Sequence, residues 1–583
     1  SRQESNPKLL SRINLDVLRR RLATVAAQPQ MAILGVATGI VTAVVILGFR
    51  LLIDGGLSFL PGGPENFEGL TILTRVILVL GGALLLGILL NRYRPAARRV
   101  GVVHVMERLS LHQGNLPLKN AVIQFVGGAI ALITGQSGGR EGPAIHLGAT
   151  AASLLGRAAR LPNNSLRTMV ACGTAAAIAS SFNTPIAGVI FAMEVVMMEY
   201  TIASFIPVIV AAVSSTLITR YFFGAEPAFI VAPQHMHSIF EIPYLILGGV
   251  LIGAMAAGYI QLIQTFARLS DRPVWLRVTL AGAITAGVAV FLPQVMGVGY
   301  DTVDQIMLTN VSILLLAVLL IGKAVTSAAA VGLGMPVGLI GPTMFMGAAM
   351  GGIFGSVLIS WQGADISLGF YVMLGMSAMM AAVLQAPLAA LMAVMEMTAN
   401  TGMILPAMVI IVVATLTTSE VFKQRSVFIS TLNTLGLQYP PNPVTLHMQR
   451  VGVTAIMDRS FNRVNHKITA AAAKELLEKK PNWIVVDDED SKVTAVLNPA
   501  DLNAFLTERD FDDDEEIRLL RIPGQRMDVS TIGSEATVMQ VQQAFDKTGT
   551  EACCVTRTTA PMITPVVGVV TQRDIENYRN TSQ

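Results

Sequence analysis

Between two long apolar runs the chain reads Gly135-Gln136-Ser137-Gly138-Gly139-Arg140-Glu141-Gly142-Pro143-Ala144-Ile145-His146-Leu147-Gly148, which puts an arginine and a glutamate where charge is costly. Ionisable side chains at bilayer depth face protein or a water-filled pathway and mark ion or proton routes. Glu141 is therefore the first candidate for such a route, with Arg140 and Gly142 beside it. Glycine lets the backbone approach a ligand closely, and Pro143 suits the first turn of a helix starting near Glu141. The free amides of that helix start form an anion site. A phosphate loop is one alternative, but Gly142 is followed by Pro-Ala where Lys-Ser/Thr is required. A tight turn with a solvated Arg-Glu pair is the other, and the second half of the chain speaks against it.

The elements that must hold these residues are apolar. Of 583 residues, 52% are hydrophobic and only 14% charged, and the mean hydropathy of +0.59 is that of an integral membrane protein. A formal net charge of +3 does not call for nucleic acid as a partner. Cys172 and the adjacent Cys553 and Cys554 have neither metal-ligand nor disulfide-framework spacing. No signal peptide is read at the start.

Residues 1–28 carry Arg12, Arg19, Arg20 and Arg21, and a second basic stretch, Arg92 to Arg99, follows two apolar runs. Both fit a cytoplasmic N-terminus. Apolar runs at about 31–53 and 76–90 are followed by others near 121–134, 143–160, 168–181, 184–197, 203–219, 243–263, 277–292, 311–331, 337–357, 367–383, 386–398 and 403–418. Several are too short to span a bilayer, which predicts half-crossing helices buried in protein.

An internal repeat organises these runs. Gly142-Pro143 with Gly148-Ala149 recurs as Gly341-Pro342 with Gly347-Ala348, and Pro185-Ile186-Ala187 with Glu194 recurs as Pro387-Leu388-Ala389 with Glu396. Offsets of 199 and 202 residues imply duplicated halves, 29–225 and 240–437. Broken helices at matching points of two repeats bring positive helix ends together around an anionic substrate. The echo of Glu194 in Glu396 argues for a helix-end or packing role, with proton entry at Glu194 as the alternative.

Past Ser426 hydropathy falls, and 445–583 reads as a cytosolic α/β region with short buried strands at 484–486, 494–497 and 566–570. Its acidic run, Asp510 with Asp512 to Glu516, lacks the pattern of a calcium loop and reads as a solvated connector rather than a metal site.

With Gly139-Arg140-Glu141-Gly142-Pro143 and the segment from Pro387 to Glu396, the chain resembles the CLC family of chloride channels and chloride/proton antiporters along nearly its whole length. The resemblance implies an α-helical polytopic fold of two inverted repeats of tilted and broken helices, a homodimer with one anion pathway per subunit, and a gating glutamate, here Glu141. Three positions depart from the usual family pattern. Gly101 stands where a serine hydroxyl touches the central anion, Ile340 replaces Phe in the later pathway loop while Leu339 and Ile340 keep their amides, and Phe428 stands for the last helix's tyrosine. His104 either supplies a protonatable donor near the pathway or caps a helix or faces a water pocket, and His146 reads as structural. The antiporters' internal proton-relay glutamate corresponds to Val195, which cannot titrate.

The tail resembles a pair of CBS repeats, 453–506 and 527–580. Thr571 and Asp574 stand where the family's phosphate and ribose contacts stand, so an adenine nucleotide (ATP, ADP or AMP) is the expected ligand, against a purely structural dimerising tail. No cofactor is required, no metal is implied, and the chain is not read as an enzyme.

These readings together describe a dimeric protein of a bacterial inner membrane, of the voltage-gated class, with both termini cytoplasmic. The expected activity is passage of chloride or a similar small anion by a channel-like passive conductor gated by Glu141. A chloride/proton antiporter is the alternative, and a membrane-anchored nucleotide sensor is the alternative from a different class.

Overall fold

The computed structural model describes residues 28–583 except 61–65, 201, 230–235, 237, 363–366, 438–447, 449–450, 490–491, 509–510, 558–564 and 582–583. The N-terminal arginines 12, 19, 20 and 21, and Asp510, lie outside the described residues. The chain divides into a helical unit over 31–158 and 166–440 and a mixed unit built on 441–583.

The first half of the helical unit comprises α1 (Gln28–Leu57), α2 (Ile72–Asn91), α3 (Gly101–Leu111), α4 (Leu118–Ile133), α5 (Glu141–Ala158), α6 (Asn163–Phe182), α7 (Pro185–Phe191) and α8 (Ile202–Phe223). A π turn, Ala192–Met197, extends α7. The second half comprises α9 (Ile242–Ala267), α10 (Val274–Ala289), α11 (Tyr300–Leu308), α12 (Ile313–Gly332), α13 (Ile340–Gln362), α14 (Leu368–Leu384), α15 (Pro387–Thr398), α16 (Ile404–Leu416) and α17 (Val427–Thr434). Among the described residues, seven helical stretches are long and apolar enough to cross a membrane, and five further apolar helices are shorter.

Hydropathy locates nearly all of these helices within a few residues. It passes over α3, α11 and α17, whose polar residues interrupt the apolar signal. The repeat persists in the packing. Gly148 of α5 lies against Gly173 of α6 so closely that a Cβ would strike the Gly173 carbonyl, and Gly347 of α13 meets Gly375 of α14 in the same way. Each pair lets a helix that begins mid-protein press on its successor, which closes backbone-to-backbone without a void.

In the mixed unit two β-α-β-β-α units follow one another. The first comprises β1 (Phe461–Asn465), α18 (Ala470–Glu478), β3 (Trp483–Asp487), β4 (Val493–Leu497) and α19 (Pro499–Glu508), with β2 (Lys467–Thr469) pairing antiparallel to β5 (Glu516–Arg518) beside it. The second comprises β6 (Arg526–Gly533), α20 (Val538–Thr548), β7 (Ala552–Thr556), β8 (Val566–Thr571) and α21 (Gln572–Thr581). They share one six-stranded sheet in the order β1-β3-β4-β6-β7-β8. The β1–β3 and β6–β7 pairs are parallel, while β3–β4 and β7–β8 are antiparallel. In the acidic run, Asp513 pairs with Lys474 at 2.9 Å.

Candidate anion and proton site

Two loops of matching sequence meet where α5 and α13 begin. Gly139 and Gly338 exchange both backbone hydrogen bonds at 2.7 Å as an isolated antiparallel bridge. A Cβ at Gly139 would land on the Glu141 carboxylate, and one at Gly142 would meet the Gly338 backbone. The contact therefore requires glycine on both loops. The bridge is antiparallel, so the two loop segments run in opposite directions where they meet.

Glu141 is fully buried at the first position of α5. Its Oε2 accepts from the Gly341 amide at 3.4 Å and its Oε1 from the Tyr300 hydroxyl at 2.6 Å. The carboxylate thus occupies the positive end of α13, where a small anion would find the same donors. Leu339 and Ile340 are buried at this helix start, and the amide that reaches Glu141 belongs to Gly341, one residue beyond the expected pair. Arg140 lies 5.7 Å from the Tyr300 ring centroid and lines a cavity of about 290 Å³ together with Arg50, Arg220, Glu226 and Tyr300.

Sequence reading missed Tyr300 because α11 is a nine-residue helix with two aspartates. The turn residues Gly297 and Gly299 before it, both with positive φ, were the available signal.

Gly101 opens α3 with φ +77, and a Cβ built there would meet nothing within 4 Å. At this position, expected to stand where a serine would touch the anion, glycine serves the left-handed backbone of the turn, and a serine would be strained whatever the space. Phe428 is buried in α17, whose neighbouring Ser426 and Ile429 line a second cavity of about 630 Å³. Glu194 and Val195 line that cavity too.

The Glu194 carboxylate accepts from the amides of Leu388 at 3.3 Å and Ala389 at 2.8 Å, at the start of α15. Glu396 accepts reciprocally from Ile186 at 3.1 Å and Ala187 at 2.8 Å, at the start of α7. Both glutamates thus bond helix ends while Glu194 also meets the cavity. His104 and His146 pair with each other, Nδ1 to Nε2 at 2.9 Å, and neither lines the two cavities.

In the tail, the backbone amide and hydroxyl of Thr571 each donate to Asp574 Oδ2 at 2.8 Å. This is the reciprocal bonding of a helix start, here that of α21. In the first unit, Asn498 and Asp501 are similarly engaged: Asn498 Oδ1 accepts from Ala500 and Asp501 Oδ2 from Gln525, both at 3.0 Å.

Residues 82–419 match the family model described as voltage gated chloride channel. A putative chloride channel protein, ClcB-like, of Ralstonia nicotianae is 33% identical over 343 residues, 57% of this chain and 80% of that protein. The H(+)/Cl(-) exchange transporter ClcA of Vibrio parahaemolyticus is 29% identical over 336 residues, 55% of this chain and 71% of that protein. The crystal structure of a slow cyanobacterial Cl-/H+ antiporter superposes with a TM-score of 0.62 at 22% identity, covering 70% of this chain and 99% of that one.

Proposed function

The chain belongs to the voltage gated chloride channel family, whose work is anion transport across a membrane, and on that premise we propose that it exchanges a chloride-like anion for protons. The observation that carries this reading is the Glu141 carboxylate, seated at the amide end of α13 with the Tyr300 hydroxyl on its other oxygen. Carboxylate and permeating anion need the same donors, so they exclude each other there. Protonation discharges the carboxylate and weakens its hold on those donors, which then accept the anion. One position answers to both ions, as exchange requires.

The ClcA relatives, named H(+)/Cl(-) exchange transporters, support this reading over the channel-like conductor expected from Val195, although the ClcB-like relative is named a chloride channel. With Val195 unable to carry a proton, Glu194 is the inner proton station we propose, because its carboxylate borders the 630 Å³ cavity. That cavity is the cytoplasmic vestibule in this reading, and the arginine-lined one is external. Passive conduction remains the second reading, supported by the apolar Val195 on the same cavity wall. The tail acts as a pair of CBS repeats taking an adenine nucleotide near Thr571 and Asp574, and the protein works as a homodimer in a bacterial inner membrane with cytoplasmic termini.

Simultaneous chloride and proton recordings from proteoliposomes test the proposal. A fixed anion-to-proton ratio, with protons driven uphill by a chloride gradient, is expected; chloride flux that moves no protons would leave passive conduction.

A further inference from the structure

Tyr300 enters the site from outside every motif that the repeat explains, on an element of its own. Its hydroxyl donates to Glu141 Oε1 at 2.6 Å. Its ring is held edge-on by Phe229, with centroids 5.8 Å apart, and by Phe182, 6.4 Å away. The turn that delivers it is anchored as well. Lys323 of α12, fully buried, donates to the carbonyls of Val295 at 3.0 Å and Gly297 at 2.8 Å, and the Gly297 amide donates to the Gly135 carbonyl at 3.2 Å. Gly299, with φ +84, then turns the chain into α11 so that Tyr300 is its first residue.

A phenol fixed by two rings and an anchored turn loses little freedom in making its bond, so the bond is worth more than one from a mobile side chain. The other donor, the Gly341 amide, lies 3.4 Å away. At 2.6 Å to a carboxylate, the Tyr300 bond is the shorter and, being charge-assisted, the stronger of the two.

We propose that Tyr300 is the clasp of the Glu141 gate: its hydroxyl holds the carboxylate in the anion's position and thereby sets how much external proton is needed to release it. This rests on Glu141 as the gate. A donor to a carboxylate favours that form over the protonated acid, which offers the phenol a weaker acceptor. Tyr300 also lines the arginine-bearing cavity, while Glu141 is fully buried behind it, so the phenol stands between that cavity and the clasped carboxylate. The charged groups around this pair are Arg140 over the ring, Arg50, Arg220 and Glu226 on the cavity wall, Asp301 next along α11, and Lys323 beneath the turn.

The test is anion flux against external pH in proteoliposomes for the wild type, Tyr300→Phe, Glu141→Ala and the double variant. Phenylalanine keeps the ring contacts and removes only the hydroxyl. Tyr300→Phe should be half-activated at about tenfold lower proton concentration, and Glu141→Ala and the double variant should share one flat profile. A Tyr300→Phe profile matching the wild type beside a flat Glu141→Ala profile overturns the clasp alone. A Glu141→Ala profile that still follows pH overturns the gate reading, and a double variant that differs in profile from Glu141→Ala shows Tyr300 acting elsewhere and overturns the clasp. Should Tyr300→Phe not assemble, infrared difference spectra of the wild type across the activation range provide a second readout. A tyrosine C–O band should shift together with a carboxyl band that Glu141→Ala lacks, and a carboxyl band appearing with no tyrosine shift overturns the clasp.

Discussion

Glu194 and Glu396 each give their carboxylate to the helix that leads to the other: Glu194 to the Leu388 and Ala389 amides at the start of α15, Glu396 to the Ile186 and Ala187 amides at the start of α7. Two short helices are thereby cross-capped, each supplying the other with the acceptors that its first turn lacks. The exchange relates the two halves by the same offset of 202 residues that the sequence repeat shows.

That relationship separates structure from transport. Alanine at either glutamate leaves two amides short of an acceptor and should cost about 1–2 kcal/mol, read as a lower unfolding temperature in detergent. Glutamine keeps one acceptor oxygen but cannot titrate. Glu194→Gln should therefore keep most of the stability and lose proton movement, whereas Glu396→Gln should leave proton movement as in the wild type. Equal proton fluxes from wild type and Glu194→Gln would remove Glu194 from the proton route.

Removing the gate carboxylate leaves the Gly341 amide and the Tyr300 hydroxyl to the anion. Glu141→Ala should conduct constitutively, with flux independent of external pH and free of coupled protons. Liposome efflux measured at several external pH values checks this, and a retained pH dependence counts against Glu141.

At the expected central site, Phe428→Tyr should tighten chloride binding by adding a donor beside the amides. Gly101→Ser is expected to behave differently, because φ +77 makes any side chain there cost about 1 kcal/mol in backbone strain. Calorimetric titration with thermal unfolding of each single variant distinguishes gained affinity from lost stability. Equal affinities for wild type and Phe428→Tyr would place residue 428 away from the anion.

Asp574→Ala should lower the stability of the tail by about 1 kcal/mol whether or not nucleotide binds, since it removes the acceptor of both Thr571 bonds. If an adenine nucleotide binds there, ATP, ADP or AMP should raise the unfolding temperature of the wild type and not of the variant. A wild-type protein indifferent to all three nucleotides would leave only the capping role.

Cys553 and Cys554 are adjacent but point to opposite faces of β7, one into each apolar layer against the sheet. Burial pushes both thiols up, Cys554 to about 12. The thiolate, which is the reactive form, is therefore scarce at pH 8, where its population rises only towards the raised value. Neither cysteine should react with maleimide at pH 8 in the folded protein, and both should react once it is denatured. Rapid labelling under native conditions would show that the strand is open.

The primary sequence by itself carried the membrane class, the duplicated halves and the position of Glu141. These depend on hydropathy runs and on residues close together in the chain, so local periodicity and spacing expose them. It also carried the α/β character of the tail and the correspondence of Glu194 with Glu396. Only the tertiary structure decided which donors face Glu141, because Tyr300 and Gly341 lie 159 and 200 residues away, the first delivered by the anchored turn before α11 and the second by the meeting of two loops. It likewise decided the backbone reason for Gly101, since φ is set by how α3 is entered and glycine's presence alone does not reveal it. The cross-capping of Glu194 and Glu396 needed it too. A carboxylate's partner is whichever helix end the packing brings within reach, and that proximity follows from burial of the whole helical unit rather than from any local pattern.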